Sequence, residues 1–176
     1  MKDLFRKMIW KPTLTCAAVA AGLFALAVFI FVKMGRYEET WIVYLGSFAF
    51  LIVMYYHALH DSKLRGNNES TVALVFSCHV ATIAGVLLAT LASFLILAAF
   101  VPGYVGSANT DVKLQGEPAQ LIQDNTHGLA FIVFMSATVI NFSVGSFCGI
   151  IIPFTVKRNQ KKDSRDPAPL HQRGSH

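Results

Sequence analysis

Long stretches without a charged side chain divide this chain into apolar and polar segments. No Asp, Glu, Lys or Arg occurs in four windows, which hold 21, 21, 41 and 32 residues. A bilayer core about 30 Å thick requires about 20 apolar residues of helix to cross it. The first two windows each match one crossing, and the other two each hold one crossing with polar, uncharged ends. We therefore predict four transmembrane helices, at about 12–33, 41–60, 71–100 and 127–156.

The segments between these helices suggest how the chain is connected. The links at 34–40 and 61–70 are short, so the helices that they join should be antiparallel neighbours. The segment 101–126 is longer and polar, and we expect it to lie outside the membrane. The pattern predicts an all-α integral membrane protein, with a four-helix up-down-up-down bundle over residues 1–156.

The residues after the fourth predicted helix differ in character from the rest. Segment 157–176 is basic and contains two prolines, which is typical of a disordered tail. Its last four residues, RGSH, resemble the beginning of an expression tag.

Composition and charge support a membrane protein and predict its orientation. The chain is 54% hydrophobic and 14% charged, whereas soluble domains carry about 25% charged residues. Twelve of the 15 Lys and Arg residues lie in the amino terminus, the 61–69 loop and the tail, and three lie on the other side. The positive-inside rule then places both termini in the cytoplasm. The net charge of +5 is explained by this asymmetry and by anionic lipid, so no nucleic-acid partner is expected.

Small residues recur at four-residue intervals in the predicted helices. In lipid, such faces let two helix backbones approach closely, and this close packing drives helix association. The first predicted helix carries one such step, from Ala18 to Gly22. We expect these faces to pack helices within the chain or to dock a partner. The positions on the third and fourth helices are Ala81, Gly85, Ala89, Ser93, Asn141, Gly145 and Gly149.

Asn141 is the most polar side chain near the middle of a predicted span. An amide in hydrocarbon is costly unless it finds a hydrogen-bond partner. We expect it to bond across to a neighbouring helix, where the available hydroxyls are Ser77, Thr82, Thr90 and Ser93.

Histidines near the cytoplasmic side offer a second kind of chemistry. His57 and His60 are three residues apart in YYHALHD, which places them on one side of a helix. With Asp61 and with His79 of the third helix they could form a transition-metal site. His57 and His79 could alternatively hold a haem. The plain alternative is that His57 and His60 are interfacial side chains and that His79 bonds within the bundle.

The sequence lacks the motifs of the familiar enzyme classes. It has no G-x-S-x-G, H-E-x-x-H or P-loop pattern. The predicted span cores also lack the charged residues that proton-coupled carriers use, although a small pore or carrier stays an alternative. These observations favour a protein that is not an enzyme.

The layout also carries a resemblance to a family. Two tight hairpins, a longer polar outer segment and the closing NFSVGSFCGIIIPFTVKRNQKK resemble a family of small bacterial four-helix membrane proteins described as a domain of unknown function. The resemblance implies a location in the bacterial inner membrane and supplies no catalytic residue. We expect an accessory or assembly subunit of a membrane complex, or a homo-oligomer, with metal or haem binding as the alternative.

Overall fold

The computed structural model describes residues 9–65, 70–101, 104 and 128–163, with side chains to residue 159. The elements in these ranges are all helical. Most of the expected outer segment, 101–126, and the tail from residue 164 onward lie outside the described residues.

Four long helices make up the described structure. Helix α1 is Trp10–Met34, α2 is Trp41–Arg65 and α3 is Thr71–Phe100. A short 3₁₀ turn, Tyr37–Thr40, links α1 to α2. Helix α4 has three consecutive parts, which are the α-helical Leu129–Met135, the π-helical turn Ser136–Ile140 and the α-helical Asn141–Asp163.

Local sequence explains several of the helix ends. Gly35 adopts a left-handed conformation with φ of 64°, and its N–H donates to the Phe31 carbonyl at 3.0 Å, which ends α1. The Ser70 side chain accepts a hydrogen bond from the Ala73 N–H at 3.2 Å and caps the start of α3.

All four helices are long and apolar enough to cross a membrane. The prediction of an all-helical protein with four such helices is confirmed. Helix α2 continues to Arg65, past its expected end near residue 60, and the fourth helix continues to Asp163.

The bundle has an apolar outside and a partly polar inside. Large apolar side chains on every helix are more than half exposed, among them Leu26, Phe48, Leu87 and Phe147. The chain is therefore suited to a lipid environment, where such surface is not penalised. The buried polar and charged residues are Thr13, Ser47, His57, Asp61, Ser62, Ser77, Thr82, Ser93, Ser136 and Asn141.

The helices pack around a core to which each contributes. Helix α1 packs mainly against α2 and α3, and α4 packs mainly against the same two helices. One apolar cluster contains side chains from all four, including Phe24, Val43, Leu97 and Val133. A smaller cluster joins Ala20, Phe50, Met54 and Ala81. Helices α2 and α3 thus lie between α1 and α4.

Candidate functional site

The small-residue face of α3 is inside the bundle. Ala81, Ala89 and Ser93 are fully buried, and Gly85 is buried between them. A Cβ added at Gly85 would lie 3.0 Å from the Phe50 ring and 3.1 Å from the Met54 Cε. The absence of a side chain at Gly85 therefore lets α3 approach α2 closely.

The corresponding face of α4 is also buried, against α3. A Cβ at Gly145 would lie 2.5 Å from Thr82 Cγ2, and a Cβ at Gly149 would lie 3.0 Å from Cys78 Cβ. Real Cβ atoms do not approach other heavy atoms as closely as 2.5 Å. These two glycines therefore bring the α3 and α4 backbones together, and this face is occupied by the chain itself.

The small-residue step on α1 has a different environment. Ala18 and Gly22 are both exposed, and a Cβ at Gly22 would meet no atom within 4 Å. The flanking Leu14 and Leu26 are about half exposed as well, at 47% and 55%. We call Leu14, Ala18, Gly22 and Leu26 the outer α1 face. It is a small-residue surface that residues 9–65, 70–101, 104 and 128–163 leave uncovered.

Asn141 is fully buried without the expected interhelical hydrogen bond. Neither its Nδ2 nor its Oδ1 atom has a hydrogen-bond partner among the described residues. Thr82 and Thr90 donate instead to carbonyls of their own helix, at Cys78 and Val86. The hydroxyls of Ser77 and Ser93 are buried and also lack a partner within the described part of the chain. The interior of the bundle thus has hydrogen-bonding capacity that the described residues do not fill.

The π-helical turn determines which α4 side chains face inward. Ser136 and Asn141 are five residues apart, and in an α-helix they would point about 140° away from each other. In the structure the Asn141 N–H donates to the Ser136 carbonyl, and both residues are buried. The turn therefore keeps both parts of α4 facing the bundle. Short π-helical segments inside α-helices are frequent at functional sites.

A charged cluster lies at the end of α2. Asp61 Oδ1 is 2.8 Å from Arg65 Nε, and their side chains are only 9% and 10% exposed. His57 lies one turn earlier and is buried, and its Nε2, like Asp61 Oδ2, has no hydrogen-bond partner among the described residues. Ser62, the residue after Asp61, is fully buried. The cluster therefore faces the interior of the bundle.

The structure separates the candidate metal ligands. His57 points inward, whereas His60 is exposed and stacks on Tyr56 with ring centroids 5.9 Å apart. The Nδ1 atom of His79 lies 2.9 Å from the Val75 carbonyl oxygen of its own helix. Within residues 9–65, 70–101, 104 and 128–163, no group of three or more His, Cys, Asp or Glu side chains could hold a metal ion. Metal or haem binding stays a prediction, which an absorbance spectrum and metal analysis of the purified protein would test.

Arg65 and Ser62 were not among the expected site residues. Ser62 is fully buried, and Arg65 forms the ion pair with Asp61. The four-residue spacing from Asp61 to Arg65 is the signal in the sequence, because oppositely charged residues at this spacing are neighbours on a helix. From the sequence, residues 61–70 were instead expected to form a loop, because the chain changes from apolar to charged residues at Asp61.

Comparison of the chain with protein-family models, with curated proteins and with solved structures finds no match. The resemblance to small bacterial four-helix membrane proteins therefore stays a prediction from the layout of the sequence.

Proposed function

We propose that this chain is a multi-pass protein of the bacterial inner membrane that acts through helix packing rather than catalysis. Its role would be that of a homo-oligomer, or of an accessory or assembly subunit in a larger membrane complex. Both termini would lie in the cytoplasm.

The proposed topology is supported by helix register and by charge. Thr82 lies against Gly145, and Cys78 lies against Gly149, so residue numbers rise along α3 as they fall along α4. This register is that of antiparallel helices, as an up-down-up-down bundle requires. The distribution of Lys and Arg, twelve on one side and three on the other, supports cytoplasmic termini.

The outer α1 face is the observation that carries the proposed role. The glycines on the inward faces of α3 and α4 lie against neighbouring helices, whereas Gly22 has no neighbour within 4 Å of an added Cβ. Small residues at helix surfaces favour close association in lipid. A second copy of the chain, presenting the same face, would fill this surface symmetrically.

Size measurement in a mild detergent tests this proposal. We expect the wild-type protein to be a dimer or a larger oligomer, and we expect Ala18→Ile and Gly22→Ile to shift it to the monomer. Neither substitution should disturb the fold, because both positions are exposed and Gly22 has free space around it. Ser143→Ile is the matched control, since Ser143 is a small exposed residue on α4.

Three outcomes separate the alternatives. Loss of the oligomer in the α1 variants alone supports self-association through this face. Co-purification of another membrane protein that depends on Gly22 would assign the face to a mixed complex. A wild-type monomer at every detergent concentration, with no companion protein, would overturn the proposal.

A further inference from the structure

One end of the bundle carries basic side chains that form no ion pair within the part of the chain that the structure describes. Lys11 lies at the start of α1, Lys63 near the end of α2, and Lys157 and Arg158 near the end of α4. The ion pairs formed among the described residues are Arg36–Glu38 and Arg65–Asp61, and neither includes these four residues. We call Lys11, Lys63, Lys157 and Arg158 the basic end.

Contacts between the helices place these residues at the same end. Met54 Sδ, in the second half of α2, lies 4.0 Å from Thr82 Oγ1, which is one turn after Cys78 in the first half of α3. Cys78 in turn lies against Gly149, in the last part of α4. The ring of Phe29, late in α1, packs on Phe100 at the end of α3, with centroids 5.1 Å apart. Helices α1 and α3 thus finish together at the far end, and α1 begins where α2 and α4 finish.

Charge at the far end is largely compensated. Arg36 lies 3.2 Å from Glu38, and the indole N–H of Trp41 donates to Glu39 at 2.8 Å. The Lys33 ammonium lies over the Phe100 ring, 4.4 Å from its centroid. The two ends of the described bundle therefore differ in their free positive charge.

Apolar surface lies directly beside the basic residues. Leu64 follows Lys63 and is 64% exposed, and Phe154 is 59% exposed. Phe154 precedes Lys157 and Arg158 by three and four residues, so it lies on the same side of α4. A cationic site bordered by exposed apolar side chains matches a molecule with an anionic headgroup and hydrocarbon chains.

We propose that the ends of α2 and α4 bind the headgroup of an anionic phospholipid. Lys63, Lys157 and Arg158 supply the positive charge, and the acyl chains lie along Phe154 and Leu64. Helices α2 and α4 pack against each other, so one lipid can reach both. Each Lys or Arg near an anionic surface contributes about 1 kcal/mol, which corresponds to about a fivefold change in affinity.

Lipid titration of the purified full chain in neutral detergent micelles tests the proposal, with bound lipid counted by native mass spectrometry. We expect phosphatidylglycerol to bind more tightly than phosphatidylcholine. The double variant Lys157→Gln/Arg158→Gln should weaken phosphatidylglycerol binding about 25-fold and leave phosphatidylcholine unchanged. Lys33→Gln/Arg36→Gln, at the far end, is the matched control and should keep the preference.

These lipid-binding results are independent of self-association through α1, because the substituted residues of the basic end lie on α2 and α4 and not on the outer α1 face. Raising the salt concentration should reduce the preference for phosphatidylglycerol, because salt screens exposed charges. Equal binding of the two lipids by the wild type, or an unchanged preference in Lys157→Gln/Arg158→Gln, would overturn the proposal. The unfolding temperature of each variant shows whether it is folded, and Lys63→Gln provides a second variant on another helix.

Discussion

At the scale of single residues, glycine positions distinguish occupied helix faces from free ones. The four-residue spacing of Gly145 and Gly149 looks the same in the sequence as that of Ala18 and Gly22. The structure places the first pair against α3 and leaves the second pair exposed. Spacing alone could not predict this difference, because it depends on which helices become neighbours.

Gly145→Ala should destabilise the bundle, whereas Gly22→Ala should not. The new methyl group at position 145 would lie 2.5 Å from Thr82 Cγ2, and Thr82 is held by its hydrogen bond to Cys78. We expect a loss of about 1 to 3 kcal/mol in the free energy of unfolding. Gly22→Ala should instead gain roughly 0.5 to 1 kcal/mol, because alanine favours a helix over glycine. Denaturant unfolding in detergent at low protein concentration measures both, and equal effects would contradict the packing described here.

Asn141→Leu should stabilise the bundle. A buried amide without partners costs about 1 to 3 kcal/mol in desolvation, and leucine of similar size removes that cost. We expect an increase of about 1 kcal/mol in the free energy of unfolding. Asn141→Ala is the control, because it removes the amide but leaves a cavity and should be less stable than the leucine variant. Destabilisation by leucine would show that the amide is satisfied, for instance by an internal water.

At the scale of the helices, the sequence predicts their number and type better than their internal geometry. Charge-free windows predicted four membrane-spanning helices, because hydrophobic length is dictated by the bilayer. The end of α2 was missed because Asp61 and Arg65 neutralise each other along one helix face. His57 and His60 lie about 60° apart on one side of α2, as their spacing predicts, but His57 is buried and His60 is exposed, because the edge of the bundle falls between them. The π-helical turn has no signature in residue type.

Deleting Val139 should be tolerated, although it removes a residue from the middle of α4. Val139 is half exposed and lies in the π-helical turn, which contains one residue more than an α-helical turn needs. Its removal should restore regular α-helix and leave Gly145 and Gly149 facing α3. Circular dichroism and the unfolding temperature should both stay close to those of the wild type.

Deletion of Phe142 is the control for this experiment. Phe142 is also exposed, but it lies in the α-helical part that follows the turn. Its loss would rotate the rest of α4 by about 100° and turn Gly145 away from Thr82. We expect a cost above about 4 kcal/mol, which is among the largest single changes. If both deletions were equally harmful, the turn would not be the site of an extra residue.

At the scale of the whole molecule, the distribution of Lys and Arg in the sequence predicts the orientation in the membrane. Helix packing alone does not show which end of the bundle faces the cytoplasm. With native cysteines replaced by alanine, Ser164→Cys and Asn67→Cys should resist a membrane-impermeant thiol reagent in intact spheroplasts. Ser107→Cys and Gln115→Cys should react, because the basic residues are concentrated on the opposite side.

The labelling pattern also distinguishes the ways in which this topology could be wrong. Reaction at position 164 but not at position 107 would invert the protein and place the basic end outside the cytoplasm. Reaction at both 67 and 107 would mean that α3 does not cross the membrane. Lysis of the spheroplasts before labelling is the control, since every accessible position should then react.

The position of α4 in the bundle has a consequence for biogenesis. Because α4 packs mainly on α2 and α3, the surface formed by Cys78 and Thr82 has no cover while only the first three helices have been synthesised. During translation, the first three helices would therefore form an intermediate in which Cys78 and Thr82 are exposed on the surface that α4 later covers. The bundle would close only after the fourth helix joins it, so we expect a chain truncated before residue 128 to be degraded faster than the full chain.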